Sequence, residues 1–279
     1  RLKTFLGHLE AHIRDQIRVV ICCARGGDRS RHVVQFLVEC GHQSMQLVDG
    51  YRGYRKSVRR HLAKLDFPNL FVLDGLTGTG KTKILRSISK ARPHSIIDLE
   101  GYADHRSSIL GDVGLNPVSQ KRFESRLFQF SKSIGSRPGW ILVEAESRKV
   151  GNREIPLSLW QQMQSAPRIQ LYAEMELRCQ ILEADYQTEE GWGPLSERIR
   201  SLGPHSDYDD EEIDEMCAML ERGDTKTVAE NLLERHYDPR YSHQMKKHRP
   251  IKTFEVLETD SLAAEIVEFL DRFVANQGF

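Results

Sequence analysis

The sequence predicts an α/β fold: a mostly parallel sheet with helices packed on both faces. Short apolar runs rich in Val, Ile, Leu and Phe recur along the chain, "RVVIC", "NLFVLDG", "SIIDLEG", "WILVEAE", "RIQLYAE" and "TFEVLET", each close to a turn or helix signal. Runs that are apolar without alternation read as strands buried on both faces, as in parallel sheets. Two glycine-rich turns, "CCARGGDRS" and "GLTGTGKT", each follow such a run, which places anion-binding loops at strand ends.

The 279 residues suffice for one large domain or two modest ones, at roughly 150 residues per domain. Hydrophobic residues make up 39% and charged residues 29%, the balance of an ordinary globular protein. No apolar run approaches the roughly 18 residues needed to cross a bilayer. Forty basic and forty acidic residues cancel, which excludes a uniformly basic nucleic-acid coat and leaves local patches open. Five cysteines without C-x-x-C pairs fit neither a disulfide framework nor a zinc site. They point to a reducing cytoplasm.

The chain opens on Arg1 instead of methionine, which implies residues upstream. Leu2, Phe5, Leu6, Leu9 and Ile13 recur at helical spacing among charges, so the first segment reads as an amphipathic helix and not a signal peptide. Cys23 ends the first strand. It enters a loop in which Gly26 and Gly27 let backbone N–H groups converge while Arg25 and Arg29 add positive charge. Such surroundings depress a thiol pKa and hold an anionic adduct. The alternative, a small buried apolar cysteine, suits Cys22 better, because adjacent strand residues face opposite sides. Cys40, Cys179 and Cys217 read as buried and structural. A helix is expected to begin at Ser30.

In "YRGYRKSVRRHLAK", Arg52, Arg55, Arg59 and Arg60 fall at helical spacing with Tyr51 and Tyr54 beside them. This reads either as a phosphate-contacting face with stacking aromatics or as a solvated linking helix. The boundary is expected at Asp66-Phe67-Pro68-Asn69, dividing the chain into residues 1–66 and 67–279.

Gly75, Thr77, Gly78, Thr79, Gly80, Lys81 and Thr82 belong to a full G-x-x-x-x-G-K-T match between a strand and a helix, the context a P-loop requires. Its glycines let N–H groups curl around a phosphate, the helix N-terminus adds partial positive charge, and Lys81 reaches the outer phosphate. Thr82 is suited to hold magnesium through its hydroxyl; no protein metal site and no tightly bound cofactor are otherwise expected. "DLEGYADHRSS" brings Glu100, His105 and Arg106 to the carboxyl edge of a sheet, where ligands bind in open α/β folds. Glu144 and Glu146, on one side of the strand by alternation and followed by Arg148, stand where a P-loop protein usually places a carboxylate for metal or water; solvent-facing charges at a strand end would look the same. Charged helical periodicity then replaces strands over residues 183–247, a helical insertion. A second basic patch, "HQMKKHRPIK", precedes the last strand. The closing helix is expected to take Ser261 or Asp260 as its N-cap.

"CARGGDRS" resembles the active loop of a rhodanese domain, and its pairing with a downstream P-loop is similar to the bacterial tRNA 2-selenouridine synthase family. "DGYRGYR", "DLEGYADHRSS", "VEAESRKVGN" and "LLERHYDPRYSHQ" carry the resemblance from Arg18 to Gln244. It implies a partial rhodanese-like domain followed by a P-loop NTPase-like parallel sheet with a helical insertion. It further implies a cytoplasmic enzyme that converts wobble 2-thiouridine of tRNA to 2-selenouridine, with no membrane partner. Geranyl diphosphate would first alkylate the sulfur and selenophosphate would then supply selenium, with Cys23 bearing it and Gly75 to Thr82 forming the P-loop. Two readings remain beside it: a P-loop kinase or NTPase fused to a rhodanese-type sulfur carrier, and a rhodanese-like binding module.

Overall fold

A computed structural model describes residues 19–25, 27–134, 139–203, 206–245 and 248–277. The expected N-terminal amphipathic helix, Gly26, Lys246 and Lys247 lie outside the described residues. The chain divides into two compact units, Arg1–Ala63 and Lys64–Phe279.

In the first unit, β1 (Val19–Ile21) leads through α1 (Asp28–Glu39) to β2 (Ser44–Gln46), and α2 (Gly50–Leu62) follows. The two strands pair in parallel, Val20 opposite Met45. Both of these residues are about half exposed, so one side of this small sheet lies open. Cys22 continues that side and is exposed, contrary to the buried place expected of it. Cys40, at the end of α1, is exposed as well, whereas Cys179 and Cys217 are buried as expected.

The second unit is built on a wholly parallel sheet ordered β4-β5-β3-β8-β9. Its strands are β3 (Leu70–Gly75), β4 (Ile96–Ile97), β5 (Ile141–Glu144), β8 (Arg168–Tyr172) and β9 (Lys252–Glu255). All six residues of β3 are buried, which explains its unbroken apolar run. Helix α3 (Lys81–Ala91) packs against the closing α12 (Thr259–Asn276). Ile84, Leu85, Ile88, Ile266 and Leu270 join sheet residues Phe71, Leu73 and Leu142 in one core. The N-cap of α12 is Glu258, whose carboxylate accepts from the N–H groups of Asp260 and Ser261, not either of those two residues.

"SIIDLEG" is only half a strand. After Ile97, the Asp98 carboxylate accepts from Gly101 N at 2.6 Å and caps the short helix α4 (Leu99–Ala103). Helix α5 (Gln120–Ser133), a hairpin of β6 (Lys149–Val150) with β7 (Arg153–Glu154), and α6 (Leu157–Ser165) complete the frame.

The helical insertion begins with α7 (Met175–Tyr186), eight residues before the expected start, and continues through α8 (Gly193–Arg200), α9 (Asp210–Glu221) and α10 (Thr225–Asn231). A π-helical turn, Leu232–Tyr237, joins α10 directly to α11 (Asp238–Met245). Leu110, Ile199, Leu202, Ile213 and Leu233 form a second core here, separate from that of the sheet. Among the described residues, no helix is long and apolar enough to cross a membrane.

Candidate functional site

The P-loop takes its shape from residues that tolerate its backbone. Gly78 and Gly80 sit at φ of 81° and 77°, and Gly80 is the N-cap of α3. A Cβ on Gly78 would stand 2.9 Å from the carbonyl oxygen of Arg178, so the approach of α7 also requires glycine there. Arg178 in turn donates from Nε to Thr77 O at 2.8 Å, and its two terminal nitrogens grip the Asp238 carboxylate of α11 at 2.9 and 2.6 Å. The helical insertion thus fastens the outer curve of the loop. Thr79 is buried and donates to Leu76 O, while Lys81 Nζ donates to Gly75 O at 2.7 Å and Leu76 O at 3.2 Å.

Behind Lys81 lies a carboxylate cluster. Thr82 Oγ1 donates between Glu100 Oε2, at 2.8 Å, and Glu144 Oε2, at 3.2 Å. Glu144 is fully buried and accepts from Glu100 N at 2.8 Å. Glu146 accepts from the hydroxyl of Ser107. One carboxylate oxygen from each of the three glutamates lies within 4.8 Å of the others. Burial raises the Glu100 pKa, burial and then the charge of Glu100 raise that of Glu144 further, and Glu146 is pushed up to about 8 by the same two causes. Such an oxygen-only set, joined by a threonine hydroxyl, fits a hard divalent cation; of its members, Glu100 was not expected from sequence to face a metal.

Lys81, Thr82, Glu100, Ser107 and Glu146 line a cleft of about 320 Å³. Of the expected residues, Gly75, Thr77, Gly78, Gly80, Lys81, Thr82, Glu100, Arg106, Glu146 and Arg148 form its wall. Glu144 stands behind Thr82. His105 is buried outside the wall, where Ser107 N donates to its Nδ1 and Gly111 and Gly151 close on its ring. Arg106 holds Val113 O at 2.7 Å and stacks on Tyr186, 4.8 Å from the ring centre. Arg148 lies over Trp160 at 5.8 Å. Trp160, Arg168, Ile181, Leu182, Tyr186, Tyr241 and Met245 belong to the same cleft and were not expected from sequence. Arg168 bonds Asp74, the residue before Gly75, at 3.0 Å.

In the first unit, the Cys23 thiol is half-buried and its pKa is lowered. The Ser30 hydroxyl, donating to Sγ at 3.5 Å, is the largest cause, helped by backbone groups of Ser30, Gly27 and Arg25. Arg25 and Arg29, expected to lower it together with the converging backbone N–H groups, are both exposed. Gln46 Nε2 holds the loop from β2 by donating to Gly27 O at 2.6 Å and to Ser30 Oγ at 3.2 Å. Tyr51 N donates to Cys23 O at 2.8 Å, so the start of α2 abuts the same turn. On α2, Arg52, Arg59 and Arg60 are exposed, but Arg55 is buried and belongs to the packing of the helix, not to its open face.

A family described as the tRNA 2-selenouridine synthase AAA domain matches residues 68–222. A protein named tRNA 2-selenouridine synthase from Cupriavidus pinatubonensis is 33% identical over 261 residues, covering 81% of this chain and 68% of that one. One of the same name from Pseudomonas syringae pv. syringae is 32% identical over 249 residues, covering 80% and 67%. Another, from Chromohalobacter salexigens, is 35% identical over 167 residues, covering 60% and 44%. The chain therefore spans from under half to about two thirds of the length of these relatives. Among solved structures, a gluconokinase from Sinorhizobium meliloti 1021 aligns at 15% identity and a TM-score of 0.32, over 76% of this chain and 97% of that one, too low to carry an argument.

Proposed function

Because the chain belongs to the tRNA 2-selenouridine synthase family, we propose that it converts 2-thiouridine at the tRNA wobble position to 2-selenouridine in two steps. In the first, the base sulfur attacks the allylic carbon of geranyl diphosphate and diphosphate departs. In the second, the nucleophilic selenium of selenophosphate, received at the Cys23 turn, displaces geranyl thiolate from C2 of the base, and hydrolysis of the Se–P bond releases phosphate and leaves 2-selenouridine. The observation that carries this reading is the presence in one chain of two unlike anion holders: a complete P-loop and a thiol held below its ordinary pKa.

The first step needs negative charge quieted on a leaving diphosphate, and no phosphoryl group moves. Loop N–H groups, Lys81 and the N-terminus of α3 are suited to that task. Thr82, Glu100, Glu144 and Glu146 would hold a divalent cation such as magnesium, which would supply further positive charge to the leaving group. The second step brings an anionic selenium donor to the turn of Cys23, whose thiolate form the hydrogen bond from Ser30 favours. Exposed Arg52, Arg59 and Arg60 are the groups proposed to meet tRNA phosphates. The five free cysteines support a place in the reducing cytoplasm. The rhodanese-like character of the first unit is part of the same proposal.

Mass spectrometry of tRNA nucleosides from cells carrying each variant tests the division of labour. Lys81→Ala is expected to leave unmodified 2-thiouridine, and Cys23→Ala to accumulate the geranylated nucleoside. If both variants stop at 2-thiouridine, the division is wrong. Steady ATP turnover by the purified protein without uptake of geranyl diphosphate would favour the kinase reading instead.

A further inference from the structure

His105 is buried, 7% exposed, yet it lies outside the cleft wall and has no part in either step proposed above. Two loops pack directly on its ring. A Cβ on Gly111 would stand 2.8 Å from Cε1 and Nδ1, and one on Gly151 would stand 2.6 Å from Nε2. Gly111 belongs to the loop after α4, where Arg106 N donates to Gly111 O at 2.9 Å and Gly111 N donates to Ser108 O at 3.0 Å. Gly151, at φ of 54°, belongs to the turn between β6 and β7. The imidazole is therefore clamped between the loop that carries Ser107 and the hairpin that follows Glu146. Its own backbone N–H donates to Glu100 O at 3.1 Å.

Nδ1 accepts from Ser107 N at 3.1 Å, so this nitrogen carries no proton. Ser107 has φ of 54°, in the left-handed region that a residue with a side chain adopts only at a cost. From that backbone its hydroxyl donates to the Glu146 carboxylate, and both residues line the cleft. We infer that His105 is a positioning residue: its Nδ1 holds Ser107 in the left-handed turn that aims the hydroxyl at Glu146, and so presents Glu146 to a divalent cation beside Glu100 and Glu144. This rests on the reading of the three glutamates as a cation site. Carboxylates that bind metals depend on hydrogen-bonded neighbours for their orientation. Without the acceptor on His105, the N–H of Ser107 loses its partner and the loop relaxes toward right-handed backbone, which turns the hydroxyl away. Glu146 then loses the contact that fixes its side chain.

The test is titration of the full chain with Mn²⁺, followed by electron paramagnetic resonance, for the unaltered protein and for His105→Asn, His105→Leu and Ser107→Ala. Asparagine places an acceptor, Oδ1, where Nδ1 stood; leucine has nearly the same shape and no acceptor. His105→Leu and Ser107→Ala are each expected to bind Mn²⁺ about tenfold more weakly, and His105→Asn within about twofold of the unaltered protein, as loss and retention of an outer hydrogen-bonded partner require. Because the histidine acts through the serine, His105→Leu is expected to weaken Ser107→Ala no further. If asparagine and leucine weaken binding alike, or if His105→Leu costs as much in the Ser107→Ala background as alone, the ring acts by its bulk and the inference is wrong. If the unaltered protein binds no Mn²⁺, the cation reading falls and the inference with it. Where a His105 variant folds poorly, Ser107→Ala decides: unchanged Mn²⁺ affinity would break the relay at its second link.

Discussion

Arg178 and Asp238 form a two-pronged ion pair, at 2.9 and 2.6 Å, between the first and last helices of the insertion. The arginine side chain is 5% exposed, and its remaining N–H holds the P-loop at Thr77 O. One guanidinium therefore ties the phosphate loop to two helices that line the apolar wall. Removing Asp238 would leave a buried, uncompensated charge, a defect that costs about 3 kcal/mol. Asp238→Ala is expected to lower stability by about that amount in urea titrations and to weaken inorganic diphosphate binding. Unchanged diphosphate affinity in the folded variant would show that the loop holds its shape without the anchor.

Gly78 meets the same arginine from the other side. With φ at 81° and a Cβ position 2.9 Å from Arg178 O, alanine there is strained by about 1–2 kcal/mol from backbone handedness alone. Gly78→Ala is expected to lose at least that much stability and to bind inorganic diphosphate more weakly, readable together by calorimetry with and without the ligand.

The Ser30 hydroxyl is the largest cause of the depressed Cys23 pKa. In a Cys22→Ser background, Ser30→Ala is expected to move the midpoint of the iodoacetamide alkylation profile to higher pH, so that less thiolate is present at neutrality. Arg25→Ala, which removes an exposed side chain, is expected to move it less. Equal shifts would return the credit to the arginines.

His236 lies buried in the π turn, and burial followed by the Arg240 charge pushes its pKa down to about 4 from the ordinary 6.5. Between those values the unfolded chain binds more protons than the folded one. The stability tied to this group is therefore complete above about pH 6.5 and drains away as pH falls toward 4. Thermal melts are expected to decline over that window, and His236→Gln to flatten the decline.

The P-loop was legible because everything that defines it is local: six buried strand residues, a glycine turn and the helix that starts at Lys81. The thiol turn was legible for the same reason, but its main partner, Ser30, was read only as a helix start. What escaped were pairings across long stretches of chain. Arg178 and Asp238 lie 60 residues apart and Arg168 and Asp74 lie 94 apart, separations that no periodicity encodes. Alternation placed Glu144 and Glu146 together on one strand, yet β5 ends at Glu144. The cluster closes instead through Thr82 and the backbone of Glu100, at the start of a helix that had looked like the end of a strand. Polar residues at a sheet edge looked alike in sequence, so His105 and Glu100 were weighed equally although only Glu100 meets the cleft.

The π turn at Leu232–Tyr237 has a steric consequence for whatever the cleft admits. Each residue of an ordinary helix rotates the chain by about 100°, and a π turn takes up one residue more than such a helix would. Deleting one residue within it would let the turn rewind as ordinary helix with α11 nearly in place, whereas deleting a second would swivel α11 by roughly that angle, carrying Tyr241 and Met245 off the wall and Asp238 out of the grasp of Arg178. The breadth of the pocket is thus governed by a winding number, and a change in spacer length could alter which molecules enter while every residue that touches them keeps its identity.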